Sequence, residues 1–122
     1  MSKKILIIDD QAEIREMYES ALSTRNYDVR TKENGLTGVM CAIEFNPDLI
    51  LLDIMMPQMD GFAVLEALNK NDKVTKNIII ISNLDGEDDI KKATELGAQK
   101  YIVKSEYTPN QIVDEIEKKL TN

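Results

Sequence analysis

The sequence contains no histidine and no tryptophan, and Cys41 is the only cysteine among its 122 residues. An intramolecular disulfide is therefore excluded, and so is a zinc site built from histidine and cysteine. The composition still allows a site for a cation bound by oxygen ligands. No apolar run approaches the roughly 20 residues of a membrane span, and the run near the amino terminus is too short for a signal peptide. We therefore expect a cytoplasmic protein with no membrane partner.

Basic charge is also scarce. The chain has 15 Lys and Arg residues against 22 Asp and Glu residues, a formal net charge of −7. Nucleic-acid-binding surfaces are built from clustered basic residues, so direct binding of nucleic acid is not expected. A length of 122 residues with 43% hydrophobic residues fits one domain over residues 1–122 with a single core.

Short apolar runs alternate with segments of helical periodicity. The runs 49–52 and 78–81 are unbroken, which is typical of strands buried on both faces of a parallel sheet. Strands are predicted at residues 5–8, 27–31, 49–52, 78–81 and 101–103. Each is followed by a helical pattern, so the sequence predicts an α/β fold, a parallel sheet with helices on both faces.

Turn and cap residues place the helices. The first covers residues 12–25, the second follows Asn34-Gly35 and stops at Pro47, and the third resumes at Phe62. Acidic residues at 85–88 begin the fourth helix, where the helix dipole favours them, and Gly97 is expected to cap its end. Thr108, Pro109 and Gln111 resemble a capping box with proline in the first turn of the last helix.

Four strands end on residues that can do chemistry. They are Asp9 with Asp10, Asp53, Ser82 and Lys104. The ends of parallel strands share one sheet edge, where ligands bind in open α/β sheets. Three carboxylates there would repel one another unless a cation neutralised them, and Mg²⁺ suits an all-oxygen site. Lys104 and Ser82 would then hold phosphoryl oxygens, and Asp53 would be the nucleophile that forms an acyl phosphate.

Each residue by itself also has a structural explanation. Asp9 and Asp10 would cap the first helix, Ser82 would be a satisfied hydroxyl, and Lys104 would be a counter-ion. Tyr101 is interpreted as a half-buried strand residue, and the charged segment 85–92 as a solvated helix face. Three methionines, Met55, Met56 and Met59, are expected to pack within their loop. The convergence of all four strand ends favours the functional interpretation.

These residues resemble the receiver domain of two-component response regulators. The resemblance covers essentially the whole chain, and its specific parts are IIDDQAEIR at 7–15, NPDLILLDIMMPQMDG at 46–61, Ser82, and Tyr101 with Lys104 three residues later. It implies a flavodoxin-like doubly wound sheet of five parallel strands in the order 2-1-3-4-5. The chain is similar in particular to stand-alone receivers of the chemotaxis-regulator type. The sequence does not separate a stand-alone receiver from a fragment of a larger regulator, and we favour the stand-alone domain because the last helix pattern finishes with a solvated KKLTN.

The resemblance also implies roles. Asp53 would accept phosphoryl from a histidine kinase or phosphotransfer protein. Asp10, Asp53 and the main-chain carbonyl of Met55 would bind Mg²⁺ directly, with Asp9 acting mostly through water. Ser82 would move onto the phosphoryl group and Tyr101 would rotate inward, changing the face of helix 4, strand 5 and helix 5. A downstream protein, or a second copy in a homodimer, would read that face. Such a domain signals and is not a turnover enzyme.

The sequence departs from the family pattern at three places. Ser105 follows Lys104 where the family usually has proline, often after a cis bond, so this loop is expected to differ. Asn83 replaces a small residue beside the phosphorylation pocket, where its amide would narrow access or contact the phosphoryl group. Met55 and Leu84 flank the site and are apolar, so neither orients an attacking water. We therefore expect an acyl phosphate of moderate to long lifetime.

Three other functions compete with this interpretation. A phosphohydrolase of the haloacid dehalogenase class needs a second aspartate two residues after the nucleophile, where this chain has Met55. A flavin-binding module needs an anion-binding loop after strand 1, where Asp9, Asp10 and Glu13 would repel phosphate. A receiver-like interaction module that is never phosphorylated stays open, because Asn83 and Ser105 depart from the family.

Overall fold

The computed structural model describes residues 2–121, which form alternating strands and helices. The strands are β1 (Lys4–Ile8), β2 (Asp28–Lys32), β3 (Leu49–Asp53), β4 (Ile78–Ser82) and β5 (Lys100–Val103). The helices are α1 (Ala12–Ser23), α2 (Gly35–Phe45), α3 (Gly61–Lys70), α4 (Glu87–Glu95) and α5 (Pro109–Thr121), with a 3₁₀ turn at Lys104–Glu106. The strands pair in parallel in the order β2-β1-β3-β4-β5. The predicted doubly wound sheet and its order are confirmed.

Two apolar layers enclose the sheet. Alternate strand residues point to opposite faces, so Leu52 joins the layer made with α2, α3 and α4, and Leu51 joins the layer made with α1 and α5. All five residues of β3 and of β4 are buried. The unbroken apolar runs of these two strands therefore arise because both of their faces are covered.

The predicted caps of α4 and α5 are confirmed. Gly97 follows α4 with a φ of +110°, a left-handed conformation that suits glycine, and its N–H donates to the Thr94 carbonyl. At α5, the Gln111 N–H donates to Thr108 Oγ1 at 3.2 Å, and the Thr108 N–H donates to Gln111 Oε1 at 2.8 Å. This reciprocal pair is a capping box.

Some boundaries differ from the sequence prediction. The first helix ends at Ser23, two residues early, because Asn26 adopts a positive φ of 69° and turns the chain towards the sheet. Strand β2 begins at Asp28, where pairing with β1 starts, and its polar sequence gives little hydrophobic signal for that position. Within residues 2–121, none of the helices combines the length and the apolar character that crossing a membrane requires.

Candidate functional site

The ends of β1 and β3 bring three carboxylates together. Ile8 pairs with Leu52 in neighbouring parallel strands, so Asp9 and Asp53 come next to each other at the carboxyl edge of the sheet. Asp9 is 3% exposed and Asp53 is 5% exposed, whereas Asp10 faces solvent. One carboxylate oxygen of each of the three residues lies within 4.8 Å of the other two. The predicted convergence of acidic side chains is therefore present.

Lys104 reaches this cluster from the end of β5. Its Nζ lies 3.3 Å from Asp9 Oδ2 and 3.8 Å from Asp53 Oδ2, and its side chain is only 12% exposed. Because β4 separates β5 from β3, only a long side chain spans the distance to Asp53. Ser82 ends β4 between them and is fully buried. All four predicted strand ends thus lie at one edge.

Main-chain hydrogen bonds hold the two buried carboxylates. The Gln11 N–H donates to Asp9 Oδ1 at 2.9 Å, and the Met55 N–H donates to Asp53 Oδ1 at 3.3 Å. The N-cap residue of α1 is Gln11, whose side chain makes no capping hydrogen bond. The interpretation of Asp9 and Asp10 as an N-cap pair is therefore wrong, because Asp9 faces the site.

The site has more negative than positive charge. The pKa of Asp53 is raised from 3.8 to about 6, first by burial and then by the neighbouring Asp9, and Lys104 and the Met55 N–H only partly oppose these effects. Lys104 thus lies beside two of the three carboxylates, those of Asp9 and Asp53. A hard divalent cation with oxygen ligands would relieve this repulsion, so the donor set fits Mg²⁺.

The raised pKa of Asp53 predicts how stability depends on pH without metal. Between about pH 4 and pH 6 the folded protein keeps this proton while the unfolded chain has released it, so the free energy of unfolding falls as pH rises. Asp53→Asn removes this contribution. We expect it to stabilise the protein by on the order of 2 kcal/mol at pH 7 and by little at pH 4.

The measurement is urea unfolding of both proteins in EDTA at the two pH values. Taking the difference between the proteins cancels the titration of the carboxylates that do not interact with Asp53, so the difference reports on the coupled group of Asp53, Asp9 and Asp10. An equal difference at both pH values would show that Asp53 has an ordinary pKa.

Ser82 and Tyr101 contact the same residue of the β4–α4 loop. The Leu84 N–H donates to Ser82 Oγ at 3.1 Å, and the Tyr101 hydroxyl donates to the Leu84 carbonyl at 2.6 Å. Tyr101 is half-buried, as expected, and burial is the main cause that raises its pKa. Asn83 is exposed beside Ser82. A movement of Ser82 would therefore be felt by Tyr101 through one loop residue.

The loop after β3 and the turn after β5 both lie next to the site, and each was the subject of a prediction from the sequence. Met56 is buried and Met59 is partly buried against the core, but Met55 is 57% exposed, so the prediction that Met55 packs within its loop is wrong. Its N–H donates to Asp53 Oδ1, which places this exposed side chain beside the site. The peptide bond between Lys104 and Ser105 is trans, like the other peptide bonds of residues 2–121, and the chain forms the 3₁₀ turn at Lys104–Glu106.

Three residues of the site were not assigned a role from the sequence. Arg15 Nη1 donates to the Asp9 carbonyl at 2.7 Å. Tyr18 lines the space beneath Asp9 and Asp53, and its pKa is raised to about 12 by burial first and then by these two carboxylates. Gly61 lies against the end of β3 and donates its N–H to the Ile54 carbonyl at 2.8 Å. Helical spacing predicted that Tyr18 is in the core but could not show that Asp9 and Asp53 lie next to it.

Comparisons with known proteins agree with this geometry. Residues 5–117 match the family described as response regulator receiver domain. Among curated proteins, the chain is 41% identical over 107 residues to Response regulator PleD of Caulobacter vibrioides, covering 85% of this chain and 23% of that protein. It is 38% identical over 110 residues to the probable transcriptional regulator ycf27 of Porphyridium aerugineum, covering 90% and 45%. The chain thus spans less than half the length of these relatives.

Solved structures show the same fold. A CheY-like response regulator receiver domain protein from Methanospirillum hungatei superposes with a TM-score of 0.91 at 27% identity, covering 98% of this chain and 94% of that chain. The receiver domain of Klebsiella pneumoniae RstA, in its BeF₃-activated form, gives 0.89 at 26% identity and covers 98% and 100%. The family match, the relatives and the acidic pocket lead to one conclusion. The chain belongs to the receiver domains of response regulators of two-component systems.

Proposed function

We propose that this domain accepts a phosphoryl group on Asp53 with the help of Mg²⁺ and signals by changing its surface. The observation that carries the proposal is the cluster of Asp9, Asp10 and Asp53, with one carboxylate oxygen from each within 4.8 Å and Lys104 Nζ 3.8 Å from Asp53. A carboxylate nucleophile beside an acidic cation site and an ammonium is what phosphoryl transfer to aspartate requires.

Asp10, Asp53 and the main-chain carbonyl of Met55 would hold the Mg²⁺ ion, with Asp9 contributing mostly through water. When bound, the ion supplies positive charge to the phosphoryl oxygens. The buried and crowded carboxylates support this assignment. The raised pKa of Asp53 indicates that the positive charge of Lys104 does not fully offset burial and the negative charge of Asp9, so a cation would be bound favourably here. Asp10, which is exposed, leaves the cation a route from solvent.

The proposed step is an in-line displacement at phosphorus. One Asp53 carboxylate oxygen forms the new P–O bond, while the P–N bond of a phosphohistidine, or the P–O bond to acetate in acetyl phosphate, breaks. The bonding electron pair leaves with the imidazole or the acetate. The Lys104 ammonium would hold one phosphoryl oxygen, the Ser82 hydroxyl would donate to a second, and the amide of exposed Asn83 would contact the group as it enters.

Ser82 and Tyr101 would transmit the change. If Ser82 moves to donate to the phosphoryl group, its hydrogen bond from Leu84 breaks and the loop that holds the Tyr101 hydroxyl shifts. The surface formed by α4, β5 and α5 then changes. Phosphorylation would shift the population from one conformation of this surface to another. The size of the shift is limited by how much more strongly Ser82 and Lys104 contact the phosphoryl group in the second conformation than in the first. We call this surface the α4–β5–α5 face.

The partners follow from this mechanism. A histidine kinase or phosphotransfer protein would supply the phosphoryl group, and a downstream protein, or a second copy on phosphorylation, would bind the α4–β5–α5 face. With a net charge of −7, direct binding of nucleic acid by this domain is not expected. The domain would catalyse its own phosphorylation and slow loss of phosphate, without turning over a substrate.

Intact mass spectrometry after incubation with acetyl phosphate tests the proposal. With Mg²⁺ we expect a gain of one phosphoryl group, about 80 Da, and with EDTA no gain. Met55 is exposed and apolar and Leu84 is apolar, so neither side chain positions a water for hydrolysis. We therefore expect the phosphoryl adduct to persist for longer than seconds in the presence of Mg²⁺. Loss of the group within seconds would contradict the lifetime but not the acceptor role.

The second candidate function is a phosphorylation-independent interaction module. The departures at Asn83 and at the Lys104–Glu106 turn favour it, because both adjoin the phosphorylation pocket. A folded protein that binds Mg²⁺ but gains no mass from acetyl phosphate or from a phosphorylated histidine kinase would support this alternative and overturn the first proposal.

A further inference from the structure

Helix α2 presents an apolar stripe to solvent. Leu36 is 66% exposed, and Met40 and Ile43 are each 52% exposed. Their spacing of four and three residues places them on one face of the helix. The opposite face of α2 is buried against the sheet and α3, with Gly35, Gly38, Cys41, Ala42 and Phe45. Both sides of this helix are therefore apolar, a pattern expected of a helix that is covered on both sides.

The stripe stands out from the other helical surfaces. Glu44 is the only charged residue of α2, whereas α1 and α5 carry several charged residues on their exposed sides. Five large apolar residues in the part of the chain that is described are markedly exposed, and three of them form this stripe. Contiguous exposed apolar residues of this kind mark interaction sites.

Charges lie at the two ends of the stripe with opposite signs. Lys32 ends β2 just before α2 begins, and Glu44 lies near the end of α2. Both line a shallow groove of about 170 Å³ beside α2, together with Arg30, Thr37, Met40 and Cys41. Neither Lys32 nor Glu44 forms an ion pair within residues 2–121. The charges that frame the stripe are thus left for a partner.

We propose that the α2 stripe binds the α2 stripe of a second copy of this chain, with the two helices antiparallel around Met40. In this arrangement Met40 faces Met40 across the two-fold axis, and Leu36 of each copy faces Ile43 of the other. Glu44 of each copy then lies near the start of the other copy's α2, beside Lys32 of that copy. A two-fold interface requires one patch to be complementary to itself, and this stripe is apolar along its length with Lys32 near one end and Glu44 near the other.

The size of the stripe sets the strength of the contact. Three half-exposed apolar side chains amount to a few hundred Å², less than the roughly 800 Å² per partner of a standard stable interface. The dimer is therefore weak and forms reversibly with concentration. β2 and β5 are opposite edges of the sheet, so α2 is remote from the α4–β5–α5 face. The contact forms without phosphorylation and leaves that face free.

Sedimentation velocity of the unphosphorylated protein tests the proposal. From about 10 µM to about 1 mM we expect the weight-average mass to rise from monomer towards dimer, and Met40→Glu to weaken association by about tenfold or more. Met17→Glu is the matched control, because Met17 is a 38% exposed methionine on α1. Asp53→Ala separates the two proposals, since it removes phosphorylation and should leave this dimer unchanged. Circular dichroism verifies that each variant folds.

Disulfide trapping locates the two-fold axis. In a Cys41→Ala background, Met40→Cys should give a covalent dimer under a mild thiol oxidant, whereas Met17→Cys should not. A monomer at the highest concentration would overturn the proposal, and the stripe would then serve a different protein. Association that Met40→Glu leaves unchanged, or equal trapping at positions 17 and 40, would overturn it as well.

Discussion

Asp53→Asn is expected to abolish the covalent phosphoryl adduct that acetyl phosphate and Mg²⁺ produce on the wild-type protein. The asparagine side chain has nearly the same shape as that of aspartate, but its amide is not a nucleophile, so no P–O bond forms. We expect the adduct of about 80 Da to fall below detection in the variant. Protease digestion of the phosphorylated wild-type protein should place the added mass on the peptide that contains Asp53.

Asp72→Asn provides the matched control, because Asp72 is exposed in the loop before β4, at the sheet edge opposite the site. It removes one negative charge and should leave the yield of adduct unchanged. The effect of Asp53→Asn is not one of folding, since removal of this buried carboxylate is expected to stabilise the metal-free protein at pH 7. A variant at position 53 that still gains the phosphoryl group at the wild-type rate would remove Asp53 from its proposed role.

Gly61→Ala is expected to destabilise the protein by about 3 kcal/mol, and to slow phosphorylation of the molecules that remain folded. A Cβ at position 61 would overlap the Asp53 carbonyl oxygen and the Ile54 Cα, which are main-chain atoms that no side-chain rotation can move. The end of β3 must shift to admit the methyl group. Because Asp53 is the last residue of β3, the shift displaces its carboxylate from Asp9 and Lys104.

Gly86→Ala is the control for this prediction. The nearest atom to a Cβ at position 86 is the Asp89 side-chain oxygen at 3.3 Å, and the φ of Gly86 is −69°, which alanine adopts freely. Its stability should change by less than about 1 kcal/mol, since loss of chain freedom in the unfolded state offsets the mild contact. Urea unfolding measures both variants. Equal stability of Gly61→Ala and wild type would show that the β3 end yields more easily than its packing indicates.

The strands could be predicted in proportion to how completely they are buried. β3 and β4 are covered on both faces, and their unbroken apolar runs identified them. β2 lies at the edge of the sheet with only partial burial, so its polar sequence located it less well and the whole predicted strand, 27–31, was shifted by one residue from the observed Asp28–Lys32. Helix starts with capping chemistry, such as Thr108 with Gln111, could be predicted because the cap is a local interaction.

The site could be predicted only for residues that end strands. Asp53, Ser82 and Lys104 could be identified because they follow apolar runs, and the topology of a parallel sheet is enough to place them on one edge. Arg15 and Tyr18 gave no such signal, because their roles depend on contacts with the strand ends: Arg15 donates to the Asp9 carbonyl, and Tyr18 lies near the Asp9 and Asp53 carboxylates. The exposure of Met55 likewise depends on how its loop packs against the rest of the chain, which the local sequence does not specify.

The sequence by itself determined the fold class, the strand order implied by the family resemblance, and the residues that meet at the carboxyl edge. These follow from hydrophobic periodicity and strand-end chemistry, which are local patterns. Only the tertiary structure decided how deeply Asp9 and Asp53 are buried, that Ser82 and Tyr101 meet at Leu84, and that the α2 stripe is left open to solvent. Burial and contact depend on what packs from distant parts of the chain, and a linear pattern does not specify that.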